Sequence, residues 1–341
     1  MRILIISPTS IGIGGIARHV QGLKAFLEKN NHSVDIISSD NTLTIPIKKL
    51  KNPSFMVSSF LKTKFSKKYD IIHGQSIVAA FAMKNVKGKK LLAIHGIHHE
   101  QVEHLHGKTA GITAKNYENK AIHWVDAITV SSKDMLNYYS KKKIRTIFLP
   151  NAIDLSSISN KKNKLYEKQI IFAGRLSKEK GILEVIEMSK KLSKKTHLLI
   201  LGSGPEENKI KELEKNYSNI HYLGFQNRES TLSYIAGSDL LIQPSHMEGG
   251  ISYTLLESMA CGTPIISTNV GDVKHTLTHM KNIYIVEKEN PNDLLFAINF
   301  LMGNPETREQ LKENALDEIQ EHDWSIIGPK YINFYNEILN K

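Results

Sequence analysis

The stretch PSHMEGGISYTLLESMACGTP, residues 244–264, contains a complete connection from one predicted strand to the next. An apolar run ends just before it, a Gly-Gly loop follows, and apolar residues at helical spacing predict a helix from about Ser252 to Cys261. Gly262 is typical of a residue that ends a helix, and Pro264 opens the next apolar run. This order of strand, loop, helix and strand predicts a βαβ unit of a parallel sheet.

Two glutamates divide this stretch between its loop and its helix. Glu248 precedes the predicted helix, whereas Glu257 lies within it. A carboxylate can hold a ribose diol or the hydroxyls of a sugar, because its two oxygens accept hydrogen bonds. Glu257 could instead be a solvated helix residue, but its apolar neighbours Leu256, Met259 and Ala260 favour a buried or cleft-facing position.

Short β-branched runs alternate with helical segments along the rest of the chain. In the first half, the predicted strands are 3–7, 34–38, 71–73, 91–94, 127–130 and 146–149. The helices predicted between them include 16–29, 54–65, 76–83 and 133–140. In the second half, the predicted strands are 169–174, 197–201, 220–223, 240–243, 264–267 and 283–286. We therefore predict an α/β fold of two tandem Rossmann-like domains that face a cleft.

The domain boundaries follow from a break in this alternation. Residues 156–164 are polar and form the best linker candidate in the chain. They separate a predicted first domain, residues 1–155, from a second domain, residues 165–320. The remaining residues, 321–341, contain an amphipathic pattern that predicts a final helix.

A glycine-rich turn, GIGGIA at residues 12–17, lies between the first predicted strand and the first helix. Glycine lets backbone N–H groups approach an anion, and a helix N-terminus adds partial positive charge. The same letters fit a dinucleotide fingerprint, with Asp40 placed where a ribose-binding acid belongs, or a plain βα turn. Residues 8–11 separate the strand from the glycines, and this wider loop argues against a dinucleotide site.

A second loop combines two different cations. The segment AGRLSKEKG, residues 173–181, follows a predicted strand and precedes a helix. Arg175 offers a planar donor fork and Lys180 a compact charge, a pair suited to a diphosphate; the alternative is a solvated basic turn. Residues 202–205 form a third strand-to-helix turn, which either touches a nucleotide or is only a turn.

The positive charge belongs to the first half of the chain. Residues 1–160 carry 23 of the 45 Lys and Arg but only 10 of the 34 Asp and Glu, so the net charge of +11 arises there. Lysines cluster within 48–51, 62–68 and 141–143. They form either a solvated surface or a field that attracts an anionic membrane or a phosphate-bearing acceptor. Nucleic acid is disfavoured, because the basic stretches match no nucleic-acid-binding module.

The glutamate stretch resembles the signature of family 4 glycosyltransferases of the GT-B fold, in which seven residues separate two glutamates. Further motifs follow in that family's order: GGIARHV at 14–20, PNAID at 150–154, GRL and EKG within 174–181, LGF at 223–225 and the helix from Trp324. The likeness covers nearly the whole chain. It implies an acceptor-binding first domain, a nucleotide-sugar-binding second domain and a C-terminal helix that crosses back to the first.

The resemblance also implies a reaction. The enzyme would be of hexosyltransferase type and would move a sugar from a UDP- or GDP-linked donor to a saccharide or lipid-linked acceptor, with retention, without metal or other cofactor. Arg175 and Lys180 would stabilise the leaving diphosphate, Glu257 would hold the donor ribose and Glu248 would contact the donor sugar. Eight residues, not seven, separate the two glutamates, with Gly249-Gly250 as the insertion, so the role of Glu248 stays open.

Four further residues take roles by the same resemblance. Gly14 and Gly15 would line the N-terminal glycine loop, and Phe225 would contact the nucleotide base. His95 would contact the transferred sugar or the acceptor; a hydrogen-bonded histidine at the end of a strand is the alternative. Rival functions are a sugar-nucleotide epimerase of the same fold, an NAD-dependent oxidoreductase and a non-catalytic sugar-nucleotide binding module.

Metal binding and membrane insertion find little support in the sequence. The chain contains no Asp-x-Asp motif. One cluster has candidate zinc ligands but no recognised spacing: His98, His99, Glu100, Glu103, His104 and His106. No stretch approaches 18 apolar residues, and the single Cys261 suits a reducing compartment. We expect a cytoplasmic protein of cell-envelope polysaccharide synthesis, with peripheral attachment to the inner face of the membrane as the alternative.

Overall fold

The computed structural model describes residues 1–12, 14–45, 47, 50–159 and 161–340, without the side chains of residues 101 and 104–106. Lys48 and Lys49 of the first predicted lysine cluster lie outside the described residues. The chain divides into two compact units. The first unit contains Met1–Ala152 together with Trp324–Lys341, and the second contains Ile153–Asp323.

The first unit is built on a six-stranded sheet whose described strands are all parallel. The strands are β1 Arg2–Ser7, β2 Ser33–Ser38, β3 Ile71–Gln75, β4 Lys89–Ile94, β5 Ala127–Val130 and β6 Thr146–Phe148. They are arranged in the order β2-β1-β3-β4-β5-β6. The helices that connect them are α1 Gly15–Lys29, α2 Lys51–Thr63, α3 Ala80–Met83, α4 His98–His106, α5 Lys108–Ala121 and α6 Lys133–Ser140. Helices on both faces bury the central strands, which explains their continuous apolar runs.

The second unit repeats this architecture. Its strands are β7 Gln169–Ala173, β8 His197–Leu201, β9 Ile220–Gly224, β10 Leu240–Gln243, β11 Ile265–Thr268 and β12 Tyr284–Val286. The order of these parallel strands is β12-β11-β10-β7-β8-β9. Its helices are α7 Ile182–Ser189, α8 Glu207–Asn216, α9 Arg228–Ala236, α10 Tyr253–Ala260, α11 Val273–Thr276, α12 Pro291–Gly303 and α13 Pro305–Ile319. Short 3-10 turns occur at Ile77–Ala79, Ile122–Trp124, Leu155–Ser157, Lys178–Lys180 and Gln320–His322.

Each sheet contains a point where the direction of strand addition reverses. In the second unit the chain starts at β7, adds β8 and β9 on one side, and then places β10, β11 and β12 on the other. In the first unit the reversal lies between β1 and β3. The loops that leave two such neighbouring strands diverge to opposite faces, so a crevice forms at their carboxyl ends, where doubly wound proteins bind ligands.

The predicted α/β fold is confirmed, and the predicted strands lie within one or two residues of the observed ones. Within residues 244–264, helix α10 begins after Ser252, whose hydroxyl accepts a hydrogen bond from the Leu255 N–H. Gly262 follows the helix with a φ of +67°, as its predicted role at the helix end requires. The segment predicted as one helix over 76–83 is instead a 3-10 turn followed by the short α3.

The last helix, α14 Trp324–Leu339, belongs to the first unit. Its aromatic side chains Trp324, Tyr331 and Tyr335 are buried in the same core cluster as residues of α1 and β1. A Cβ atom at Gly22 of α1 would lie closer than 3.0 Å to the Trp324 indole, so only glycine lets the two helices approach this closely. The predicted return of this helix to the first domain is therefore confirmed.

Buried histidines contribute to the attachment of α14. The imidazole Nδ1 of His73, on β3, lies 2.8 Å from the Tyr335 hydroxyl, and Nε2 of His19, on α1, lies 3.4 Å from the Tyr331 hydroxyl. Burial, aided by the nearby His95, lowers the pKa of His73 to about 3. Burial also lowers the pKa of His19 well below its ordinary value. Both rings are therefore neutral at neutral pH.

We expect the first unit to lose stability in mild acid. Because the pKa of His73 falls from about 6.5 in the unfolded chain to about 3 in the folded protein, its contribution is complete above pH 6.5 and is lost as pH falls toward 3. For His73 alone, the free energy of unfolding should drop by about 2 kcal/mol between pH 6.5 and pH 4.5. Tryptophan fluorescence measures this unit selectively, because Trp124 and Trp324 both belong to it.

The matched comparison uses two substitutions in the same unit. His73→Gln should flatten the pH dependence of unfolding, whatever its stability at pH 7.5, whereas substitution of the exposed His123 by Gln should leave it as in the parent. Equal pH dependence in all three proteins would contradict the assignment to His73.

One glycine fixes how two loops of the second unit meet. Gly181, between the 3-10 turn Lys178–Lys180 and α7, has a φ of +72°. A Cβ atom there would lie closer than 3.0 Å to the carbonyl oxygen of Pro244, at the start of the loop after β10. The loop after β7 and the loop after β10 therefore meet backbone to backbone, which only glycine allows.

Gly181→Ala should accordingly lower the free energy of unfolding by about 2 kcal/mol, since it adds both a positive-φ penalty and a clash with Pro244. Gly174→Ala in the same loop is the control, because a Cβ there would make only ordinary contacts of 3.8 Å or more with Phe172. Denaturant titration followed by circular dichroism measures both. A Gly181 variant as stable as the Gly174 variant would show that the two loops do not depend on this contact.

Candidate functional site

In the second unit, the direction of strand addition reverses between β7 and β10, and we call this position the switch point. It brings the cationic loop after β7, residues 174–181, together with the glutamate loop after β10, residues 244–252. The His246 N–H donates a hydrogen bond of 2.9 Å to the carbonyl oxygen of Glu179. One residue after Glu179 and two residues after His246, Lys180 Nζ lies 2.5 Å from Glu248 Oε1. Both side chains are largely buried, with 26% and 11% of their surfaces exposed. The structure thus places two of the predicted site residues in direct contact.

Glu248 is held from a second direction by the end of β10. Gln243 Nε2 donates to the same Glu248 Oε1 at 3.1 Å, and Ser252 Oγ donates to Gln243 Oε1 at 2.9 Å. The loop that contains Gly249-Gly250 therefore leaves Glu248 in a defined position despite its extra residue. Sequence reasoning missed Gln243 and Ser252; a polar residue that ends the apolar run LLIQ was the available signal.

Arg175 lies on the cationic loop with about half of its side chain exposed. Its Nη1 is 3.5 Å from Glu179 Oε1, a loose pair that an incoming anion can replace at little cost. Burial works to raise the pKa of Glu179, but hydrogen bonds from Ser177 and its own N–H, with Arg175 and Lys180 nearby, lower it overall. Glu179 is therefore ionised at neutral pH, and it keeps the two cations from facing each other without a counter-charge.

Glu257 occupies the second turn of α10 and is almost completely buried. Arg228 Nε donates to Glu257 Oε1 at 3.1 Å, and both terminal nitrogens of Arg228 lie 3.2 Å from Ser157 Oγ. Sequence reasoning missed Arg228, the first residue of α9. A cation in the first turn of a helix is disfavoured by the helix dipole. Its presence there could have indicated that Arg228 has a specific acidic partner.

The predicted nucleotide-binding residues of this unit follow different strands at one edge of the sheet. The glutamate loop follows β10, the cationic loop follows β7, and Phe225, with 60% of its surface exposed, follows β9. Since β8 lies between β7 and β9, three strand spacings, roughly 14 Å, separate the β10 loop from the β9 loop. This edge therefore offers a linear path with two cations near its middle.

In the first unit, the loop after β1 is held by an acid that sequence reasoning considered for ribose. Asp40 Oδ2 accepts hydrogen bonds from the Ser10 N–H at 2.8 Å, the Ser10 hydroxyl at 2.9 Å and the Ile11 N–H at 3.1 Å. These bonds outweigh partial burial and lower the pKa of Asp40. With Asp40 engaged in this loop, the dinucleotide interpretation loses its ribose-binding acid.

The glycine turn leaves the start of α1 accessible. Gly14 precedes α1, and Gly15 is its first residue. Among the described residues, no side chain caps this end, the first turn has no acidic residue, and a Cβ atom at Gly14 would meet nothing within 4 Å. The backbone N–H groups of Gly14 and Gly15 are thus placed where an anion can approach.

His95 directly follows β4 in the first unit. Its Nε2 lies 2.8 Å from the side-chain oxygen of Gln75, at the end of β3, and its ring centre is 5.0 Å from that of His19. Burial lowers the pKa of His95 to about 4, so the ring is neutral at neutral pH. The geometry is that of a hydrogen-bonded histidine at the end of a strand, and contact with a sugar stays a prediction.

Among the described side chains, no three His, Cys, Asp or Glu residues lie close enough to hold a metal ion. Within the cluster of candidate zinc ligands at residues 98–106, Nδ1 of His99 lies 3.1 Å from Oε2 of Glu118. The side chains of His104 and His106 lie outside the described part. No helix in the described ranges has the length and apolar character needed to cross a bilayer.

Comparisons with known proteins show which family the chain resembles. The sequence model of the group 1 glycosyl transferases matches residues 156–318, and that of glycosyltransferase family 4 matches residues 13–157. An uncharacterized glycosyltransferase of Methanocaldococcus jannaschii is 25% identical, over 95% of this chain and 94% of its own length. A phosphatidyl-myo-inositol mannosyltransferase of Propionibacterium freudenreichii is 22% identical, over 98% and 94%.

Solved structures share the fold over nearly the whole chain. Sucrose-phosphate synthase from Thermosynechococcus elongatus superposes with a TM-score of 0.85 at 19% identity, over 99% of both chains. Anabaena HepE, solved in complex with UDP and glucose, superposes with a TM-score of 0.75 at 16% identity, over 98% of this chain and 99% of its own. With two family models that together span residues 13–318, this chain belongs to the family 4, group 1 glycosyltransferases of the GT-B fold.

Proposed function

We propose that this chain transfers a hexose from a nucleoside diphosphate sugar to a saccharide or lipid-linked acceptor, with retention at the anomeric carbon and without a metal ion. The contact between Lys180 and Glu248 at the switch point of the second unit is the observation that carries the proposal. It places a cation suited to a diphosphate beside a carboxylate suited to sugar hydroxyls. Such neighbours are what a bound sugar diphosphate requires.

The names of the similar proteins support the same substrate classes. HepE was solved with UDP and glucose, which are the two parts of a nucleotide-sugar donor. The relative from P. freudenreichii is named for the transfer of mannose to a phosphatidyl-inositol. We therefore propose a UDP- or GDP-linked donor. The two acceptor classes that we propose are a lipid-linked acceptor and a saccharide.

Donor binding would exchange one partner of Lys180 for another. A diphosphate carries more negative charge than one carboxylate, so it competes with Glu248 for Lys180 and recruits the loosely paired Arg175. Glu248 then loses its contact with Lys180 but is still held by Gln243. Its carboxylate can therefore accept hydrogen bonds from the hydroxyls of the donor sugar. As the bond to the sugar breaks, Lys180 and Arg175 stabilise the charge that develops on the leaving diphosphate.

The rest of the donor would extend toward β9. We assign the ribose to Glu257, whose carboxylate is held in place by Arg228, and the base to the exposed Phe225. In the first unit, Gly14 and Gly15 offer N–H groups to a phosphate, and the neutral His95 offers a hydrogen-bonding ring to the transferred sugar or the acceptor.

Lys180→Ala should weaken the binding of UDP, GDP or ADP, whichever the protein prefers, by about tenfold or more, because the substitution removes a charge-assisted hydrogen bond to the diphosphate. Isothermal titration calorimetry measures this affinity. Lys178→Ala is the matched control, because it removes an equal charge from an exposed position two residues away. Equal losses of affinity in the two variants would show that Lys180 contributes only to the general positive charge of the loop.

Glu248→Gln should separate binding from turnover. The affinity for the nucleoside diphosphate should stay the same or rise, since Lys180 loses its competing partner, while kcat with a sugar donor should fall by about a hundredfold. Glu187→Gln, at an exposed site on α7, is the control and should leave both quantities unchanged.

The products identify the reaction class. Nuclear magnetic resonance of the product should show the anomeric configuration of the donor, and activity should persist in a chelator. An altered sugar nucleotide formed without acceptor would indicate an epimerase. Donor binding without turnover across a panel of saccharide and lipid acceptors would indicate a binding module.

A further inference from the structure

One side of α2 exposes apolar residues at helical spacing. The helix buries Phe55, Ser59 and Thr63 against the first unit. Val57 and Leu61 each expose 58% of their surface, and Phe65, just beyond the helix end, exposes 88%. Because residues four positions apart share one face of a helix, Val57 and Leu61 lie on the same solvent-facing side of α2, and Phe65 continues this spacing beyond the helix end.

The loop before α2 extends this apolar surface. Leu43 exposes 92% of its surface, Ile47 exposes 59%, and Ile45 and Leu50 expose 45% and 44%. The Ile45 N–H donates to Ser54 Oγ and Lys62 Nζ donates to the Asn41 carbonyl oxygen, so this loop runs beside α2. Scattered apolar residues are normal on protein surfaces, but seven exposed apolar side chains within one loop and the adjoining helix indicate a site of interaction. We refer to the described part of residues 43–65, with these seven exposed apolar side chains, as the α2 face.

Within residues 41–69, between the flanking Asp40 and Asp70, the charge has a single sign. Residues 41–69 contain seven lysines and neither Asp nor Glu. Of these, Lys51, Lys62, Lys64, Lys67 and Lys68 belong to the described part, and all five are exposed. An exposed apolar stripe with lysines beside it and no acid matches the composition of helices that lie in the headgroup region of a membrane.

We propose that the α2 face docks on an anionic lipid surface. Val57, Leu61 and Phe65 would enter the boundary between headgroups and acyl chains, and the neighbouring lysines would pair with lipid phosphates. A second copy of the chain fits this face less well, because self-association would bring lysine-rich surfaces of equal charge together. Lipid phosphate supplies the missing negative charge.

The α2 face also lies close to an edge where a doubly wound sheet binds ligands. Its loop follows the carboxyl end of β2, and Asp40, just before that loop, holds the loop after β1 through Ser10. Docking would therefore place the lipid surface beside the β1 loop of the first unit. Docking does not rest on the proposed transferase activity, because it is measured without donor or acceptor.

Vesicle flotation tests the proposal with two lipid compositions, phosphatidylcholine alone and phosphatidylcholine with 30% phosphatidylglycerol. The parent protein should bind the anionic vesicles at low salt, bind the neutral ones much more weakly, and dissociate as salt is raised. Leu61→Glu should reduce binding by at least tenfold. Lys64→Ala and Lys68→Ala should each reduce it about fivefold, in line with roughly 1 kcal/mol per surface lysine.

The controls place the same chemical changes elsewhere. Phe296→Glu alters an equally exposed apolar residue of the second unit, and Lys141→Ala removes a charge at the end of α6; both should bind anionic vesicles as the parent does. Absence of parent binding at low salt, or equal losses in the Leu61 and Phe296 variants, would overturn the proposal. A dimer in light scattering that Leu61→Glu dissociates, without vesicle binding by the parent, would assign the α2 face to self-association instead.

Discussion

The contact of Lys180 with Glu248 depends on the order of the strands in the second unit. The two residues are 68 positions apart, and they meet because β7 and β10 are neighbours whose loops leave the same edge of the sheet. Gly181 and Pro244 bring the two backbones into contact, which places the two side chains within reach of each other. The pair is partly exposed, so a more highly charged anion can reach the cation and compete with Glu248 for it.

Paired charges and excess positive charge are distributed differently in the two units. The second unit holds two acid–base pairs at one edge, Lys180 with Glu248 and Arg228 with Glu257, so its polar residues largely neutralise one another. The first unit instead has an excess of lysines, an uncapped helix start and buried neutral histidines. A charge-balanced edge favours a specific small ligand, whereas a one-sided field favours an extended anionic surface.

Much of the fold could be predicted from the sequence, because central strands of a parallel sheet are apolar on both faces and short. Helices α4 and α5 were missed, since residues 98–121 are rich in His, Thr, Asn and Gly and show little amphipathic periodicity. Positions of the site residues followed from the loops after strands. The hydrogen-bond partners of these residues could not be predicted in the same way. Asp40 holds Ser10, and Gln243 holds Glu248, because of distances between loops that no local sequence pattern encodes.

The attachment of α14 to the first unit has a consequence for the order of folding. Residues 1–152 leave the ribosome early, but the core of that unit needs Trp324, Tyr331 and Tyr335, which are synthesised nearly two hundred residues later. The second unit is one uninterrupted segment, so it can be completed while the first still exposes the surface that α14 covers. The first unit, although it contains the N-terminal half of the chain, can therefore complete its core only after α14 has been synthesised.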